Sequence, residues 1–250
     1  MRKILKRCIF VLLIMILGGV YIGGKTFSSN KSTDKQIERY AKTNGINISE
    51  YPEELIALYD RNPETKEFVL GYAENKNKEH TINLSSYVNS KTVPLLMQWD
   101  MAWGYTDYAG SIMGLSGCGP TCLSMVLIYE TGNVDMNPKA VAEFATSQGY
   151  AVNGQGTGWA LFSEGGKKLG LDVTELPLDE NRIIKNLQVG NPIICAMGPG
   201  DFTTTGHFIV LTGYSDGKIK VNDPNSYQNS QRLWDYDQIA GQIKNLWAFR

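Results

Sequence analysis

A cysteine set between two glycines and followed by a proline constrains this chain more than any other feature. The stretch reads Gly114-Leu115-Ser116-Gly117-Cys118-Gly119-Pro120-Thr121-Cys122-Leu123-Ser124-Met125-Val126-Leu127. Proline suits the first turn of a helix, where its missing N–H removes a donor that has no intrahelical partner. Leu123, Met125, Val126, Leu127 and Ile128 follow as the body of a buried helix, and Gly132-Asn133 is its stop. Cys118 is thereby placed at, or just before, a helix N-terminus. Partial positive charge there favours an anion, and the anion is the form in which a thiol attacks. The flanking glycines leave room for a substrate backbone to come close. The pattern points to a nucleophile; a structural cysteine in a buried loop is the plainer reading of the same residue.

The other cysteines and the histidines narrow the chemistry. Cys8 lies in the leader segment, and Cys118, Cys122 and Cys195 lie in the body. Three body cysteines make no disulfide framework. Cys118 and Cys122 are not a C-x-x-C pair and have no second pair, so a zinc site is not expected. The chain has only two histidines, His80 and His207. Any Cys–His chemistry must use one of them. His80 follows the polar run Glu74 to Glu79 with nothing catalytic around it and reads as a surface residue.

Charge excludes one class of partner. Residues 1–25 hold five bases and no acid, which leaves 19 Lys and Arg against 25 Asp and Glu in the remainder. A body with that acidic balance and no basic stripe is a poor surface for nucleic acid. The basic residues 2–7 precede an apolar run from Cys8 to Ile22. That order is the shape of a secretory n-region and h-region. Residues 1–25 are thus read as either a cleaved signal peptide or an N-terminal membrane anchor, with everything after them outside the cytoplasm or on the cell surface. Residues 26–90 read as a polar linker and a helical extension. Its helices are expected at Ile37–Ala41, at Pro52–Tyr59, and after an Asn62-Pro63-Glu64 cap to carry Phe68, Val69, Leu70 and Tyr72.

The second half, residues 91–250, carries the remaining candidates. Val93 to Asp100 reads as extended chain containing Gln98, whose amide either donates to an oxyanion or is a plain polar residue at a strand end. Asn137-Pro138 caps a further helix. Gly154, Gly156 and Gly158 form a loop that is either the rim of a cleft or an ordinary entry to a helix; it lacks the dinucleotide fingerprint spacing. Strands are expected at Leu171–Leu176 and Pro192–Met197, with a helix capped by Asp179 between them. Gly206-His207-Phe208-Ile209-Val210-Leu211 then runs to the turn Ser215-Asp216-Gly217, and Lys218 to Asn222 returns. About that turn His207 and Asp223 fall within a residue or two of facing each other, so Asp223 can hold the imidazole in one tautomer. The end of the chain reads as a short helix at Trp234–Ile239 and a strand at Leu246–Phe249.

Gln98-Trp99-Asp100, Gly117-Cys118-Gly119-Pro120-Thr121, Gly206-His207-Phe208-Ile209-Val210-Leu211 and Asn222-Asp223-Pro224 together resemble the motifs of papain-like cysteine peptidases. The nearest group is the bacteriocin-leader-processing (double-glycine) peptidase family and its stand-alone secreted relatives. The resemblance spans roughly residues 91–250, and the order Gln, Cys, His, Asp agrees with it. It implies an α+β fold, with a helical layer carrying the nucleophile packed on an antiparallel β-sheet. It implies Cys118 as nucleophile, His207 as general base and acid, Asp223 as orienting residue and Gln98 as oxyanion donor. The partner it implies is a peptide or protein substrate, and the chemistry needs no cofactor. Three functions share these residues. One is hydrolysis of peptide bonds through an acyl-enzyme. Another is the same thioester chemistry turned to a cell-wall amide or to an amine acceptor, as in a transpeptidase or acyltransferase. The third is a surface binding module that keeps the fold without catalysis.

Overall fold

The computed structural model describes residues 31–250. The signal-peptide or anchor reading of residues 1–25 lies outside these described residues. No helix among the described residues is long and apolar enough to cross a membrane.

The chain opens with helices. α1 (Lys31–Asn44) and α2 (Glu53–Arg61) are followed by a 3-10 turn at Pro63–Thr65, which leads into the short helix α3 (Lys66–Leu70). Asn62 caps that turn as its sequence suggests: its side-chain oxygen accepts the Glu64 N–H at 3.1 Å. The helix expected to run on through Tyr72 breaks at Gly71 and resumes at Tyr72–Asn75. These helices bury Ile37, Ala41, Leu55, Leu58, Phe68, Val69 and Leu70 together with Tyr105 from the second half of the chain. They do not form a separate ball. Phe68 stacks on Tyr105 at 4.5 Å between ring centroids. The Phe68 ring also lies so close to Gly104 and Gly114 that a Cβ at either position would collide with it.

The rest is a helical layer on a six-stranded sheet. α4 (Cys118–Thr131) is the helix expected from the cysteine stretch, and it ends where Gly132 takes a left-handed φ of 69°. Every residue from Gly119 to Ile128 is buried, so the helix has no polar face to present to water. α5 (Pro138–Ser147) covers one side of it, with Asn137 as cap. Beneath lies a sheet of β1 (Val173–Glu175), β2 (Ile193–Met197), β3 (His207–Ser215), β4 (Lys218–Asn222), β5 (Leu233–Trp234) and β6 (Ile243–Phe249). The spatial order is β1-β6-β2-β3-β4-β5, and every pairing is antiparallel. The fold is α+β, a helical layer bearing the cysteine on an antiparallel sheet bearing the histidine.

All of β2 is buried because the sheet is covered on both faces. Ile194, Ala196, Phe208, Val210, Trp247 and Phe249 pack under the α4 layer. Ile193, Cys195, Ile209, Leu211 and Leu246 pack on the other side, against Ile183 and Leu187 of α6 (Glu180–Gln188). That period of two is the strand's own geometry. One expectation is corrected at the end of the chain. Trp234 is not helical but pairs with Ile219 as an edge strand, and the short helix begins at Tyr236. Trp234 is 1 % exposed, and burying an aromatic side chain on the sheet outweighs the helical pattern around it.

Candidate active site

The nucleophile candidate sits on the helix tip. Cys118 is the first residue of α4 and is half-buried, whereas Cys122, one turn further on, and Cys195 are fully buried. The three are free thiols. Burial pushes the thiols of Cys122 and Cys195 up, which leaves them protonated and unreactive. The glycines beside Cys118 serve a purpose other than the substrate access expected of them. A Cβ at Gly117 would meet the Met113 carbonyl oxygen at 2.6 Å, and one at Gly119 would run into the side chain of Thr157. They let the helix tip seat against the protein itself. Thr157 in turn hydrogen-bonds the Tyr108 hydroxyl at 2.8 Å. The Gly154–Gly158 loop supplies this support and is not among the residues that line the cleft at Cys118.

The sheet brings up the candidate base. His207 begins β3, and its Nε2 lies 2.7 Å from Asp223 Oδ1, the acid just beyond the end of β4. The ladder pairs Val210 with Asn222, so the position directly opposite His207 is two residues past Asp223. The sequence separation from the turn gave the meeting correctly. Asp223 is 1 % exposed and its carboxylate is fully engaged. Oδ1 also accepts the Asn225 N–H at 2.9 Å, and Oδ2 accepts from Asn229 Nδ2 at 2.8 Å. Burial pulls the His207 imidazole down, but the Asp223 charge and hydrogen bond, joined by a hydrogen bond and charge from Cys118, outweigh it and push it up to about 10. Burial pushes the Asp223 carboxyl up, but the His207 charge and hydrogen bond, with the donors Asn229 and Asn225, outweigh it and hold the carboxyl below its usual range. With Nε2 taken by Asp223, Nδ1 is the ring nitrogen left to face the sulfur.

Gln98 completes the group. It lines the same cleft as Cys118, His207 and Asp223 and is 4 % exposed. Its Nε2 donates one hydrogen to Gly114 O at 3.0 Å and has a second to offer. Its Oε1 is buried and has no hydrogen-bond partner among the described residues. The Asn222-Asp223-Pro224 motif ties this residue to the acid. Asn222 Nδ2 donates to the carbonyls of Val93 at 3.2 Å and Pro94 at 2.9 Å, fixing the irregular stretch that leads to Gln98. The Gln98 N–H donates to Pro224 O at 2.8 Å. All four candidates therefore meet in one cleft, and His80 stays apart, bonded to Asn75 O at 3.2 Å.

Sequence reading missed the residues that hold Asp223. Asn225, Asn229 and Ser230 surround it, the last accepting the Asp223 N–H at 2.9 Å. The polar run after Pro224 was the available signal, because a buried carboxylate needs donors close by.

A thiol on a helix tip, facing an imidazole oriented by a carboxylate on an antiparallel sheet, defines the papain-like class of site. Residues 90–249 match the family described as the Peptidase_C39 like family. The chain belongs to that family of peptidases, and a peptide or protein is the substrate class this membership implies. No curated protein matches the chain. Among solved structures it is similar to the peptidase domain of Streptococcus ComA, a bi-functional ABC transporter involved in a quorum-sensing pathway. That likeness has 20 % identity over 54 % of this chain and 90 % of the other, with a TM-score of 0.41. It is also similar to a chain described as a C39-like peptidase from Bacillus anthracis, with 16 % identity over 69 % of this chain and 98 % of the other and a TM-score of 0.42.

Proposed function

We propose that this protein hydrolyses peptide bonds through a Cys118–His207–Asp223 triad and an acyl-enzyme, and that it does so outside the cytoplasm. The observation that carries the reading is the His207 imidazole, held between the buried Asp223 carboxylate and the Cys118 side chain in an open cleft. An imidazole raised in this way is protonated at neutral pH, which sets a positive charge beside the Cys118 sulfur and readies a proton for transfer.

Cys118 Sγ attacks the scissile carbonyl carbon, and the carbonyl oxygen gains the negative charge. The second Nε2 hydrogen of Gln98 and the Cys118 backbone N–H, at the first position of α4, are the donors for that oxyanion. His207 gives its proton to the leaving amine as the C–N bond breaks, forming a thioester on Cys118. It then takes a proton from the water that attacks the thioester, and release of the acid restores the thiolate–imidazolium pair. Asp223 keeps the ring in place through both transfers. The location outside the cytoplasm is supported by the basic-then-apolar order of residues 2–22.

Cys118→Ala is the direct test. We expect it to abolish peptide cleavage and labelling at this position by iodoacetamide while leaving the far-UV circular dichroism unchanged. Undiminished cleavage in this variant ends the reading. Fractionation of cells producing the full chain tests the location; recovery solely from the cytosol contradicts it.

A further inference from the structure

The Asn62-Pro63-Glu64 turn of the N-terminal helical segment lies on the wall of the same cleft as Cys118 and His207. Its side chains are not idle there. Glu64 Oε2 accepts the Tyr227 N–H at 2.6 Å, and Oε1 accepts the Gln228 N–H at 2.8 Å. Asn62 Nδ2 donates to Asn225 O at 2.5 Å, a carbonyl that also accepts from Trp99 Nε1 at 3.0 Å. The Asn62 and Glu64 bonds span more than 160 positions of sequence separation and land on one short segment, residues 225–228. That segment and its next residue hold Asp223 from both sides: the Asn225 N–H binds Oδ1, and Asn229 binds Oδ2.

We propose that Asn62 and Glu64 are positioning residues for the triad, fixing the Asn225–Asn229 segment and through it the Asp223 carboxylate that orients His207. Neither touches the reacting atoms. Their own geometry is set locally, since the Asn62 side chain accepts the Glu64 N–H and the Asn62 carbonyl accepts from Thr65 Oγ1 at 2.8 Å. The anchor behind them is firm, because Phe68 is seated against Gly104 and Gly114 a few residues later. Gly114 O is the acceptor for Gln98 Nε2, so the N-terminal segment braces the oxyanion side of the site as well as the acid side. The segment that precedes the family match at residue 90 is, on this reading, part of the working site and not a detachable appendage.

The inference deepens the triad assignment, so its test reads the triad without needing a substrate. The probes are the His207 imidazole titration followed by NMR and the rate of iodoacetamide modification of the Cys118-containing peptide followed by mass spectrometry. His80 is the only other histidine in the chain, so His80→Gln assigns the signal. In the full chain, Glu64→Ala and Asn62→Ala together are expected to move the His207 midpoint down toward its ordinary value of about 6.5. They are also expected to slow modification at neutral pH by about tenfold or more, as small displacements in such sites do. In an Asp223→Asn background the same pair is expected to shift the His207 midpoint no further, because the coupling runs through that carboxylate. A merely structural role predicts the same loss in both backgrounds. If the double variant does not fold, Glu64→Gln keeps the volume and one acceptor and is read by the same two measurements. A His207 midpoint and modification rate equal to those of the unaltered protein overturn the proposal, as does an undiminished shift in the Asp223→Asn background. A protein that shows the expected shifts but cleaves no peptide ends the peptidase reading and leaves this one standing.

Discussion

His207 and Asp223 sit 2.7 Å apart with side chains only 7 % and 1 % exposed, the one nearly dry ion-pair geometry among the described residues. Its dependence on pH follows from the direction of each shift. The imidazole is raised to about 10, so its contribution to stability is complete below the unfolded value of about 6.5 and is lost as pH climbs through the folded one. The carboxyl is lowered, so its contribution is complete above the unfolded value of about 3.9 and is lost as pH falls below it. We expect thermal unfolding of the reduced protein to show a plateau between about pH 4 and 6.5 and a decline on the alkaline side. A midpoint that rises steadily from pH 6.5 to 10 contradicts the assignment.

Removing one member of that pair separates charge from orientation. Asp223→Ala leaves an imidazole buried without its counterion and is expected to lose about 3–5 kcal/mol of stability together with nearly all activity. Asp223→Asn keeps an acceptor for Nε2 and is expected to lose less of both. Urea unfolding and cleavage assays on the two variants give the ordering, and equal losses contradict it.

Gln98→Ala probes the proposed oxyanion donor. Losing one such donor costs about a hundred- to a thousandfold in kcat, with KM little changed. Stability is expected to fall by about 1–3 kcal/mol as well, because Gly114 O loses its partner in a buried place. A variant with full kcat places the oxyanion elsewhere.

Phe68→Ala tests how firmly the N-terminal helices are joined to the rest. A fully buried phenylalanine replaced by alanine costs about 3–5 kcal/mol. Because Phe68 abuts Gly104, Tyr105 and Gly114, we expect a single unfolding transition displaced as a whole, with weakened activity at temperatures where the fold persists. Two separated transitions, the first affecting residues before 90 alone, contradict that continuity.

Gly119→Ala tests the support behind Cys118. An added methyl group meets Thr157, and overpacking of this kind costs about 1–3 kcal/mol. We expect Thr157→Gly, which removes the Oγ1, Cβ and Cγ2 atoms the new methyl would meet, to relieve part of that loss. No relief in the double variant assigns the glycine another reason.

Much of the site was legible because its signals are local. Gly-Cys-Gly-Pro before an apolar run dictates a helix that starts at the cysteine. Apolar strands about Ser215-Asp216-Gly217 dictate a hairpin, and counting back from the turn brings His207 to Asp223. Gln98 stayed ambiguous on its own, since an amide near a strand end looks the same whether it faces a substrate or solvent. What the sequence pattern does not carry is partnership between distant segments. Asn62 reads as a helix cap and is one, yet the same side chain spends its nitrogen on Asn225 O. Glu64 reads as an acid in a first turn of its own helix, whereas its oxygens serve amides of residues 227 and 228. The glycines around Cys118 read as room for a ligand because nothing local announces that Thr157 occupies that room. Trp234 escaped its helical surroundings for the same reason: the sheet it completes is assembled from elsewhere.

The strand Ile243–Phe249 follows every other strand in sequence but lies inside the sheet, between β1 and β2. During synthesis the earlier strands must wait for it with unfilled edges, and its pairing with β1 closes a separation of some 70 residues. The sheet that presents His207 is therefore complete only once the last strand of the chain has threaded between two earlier ones.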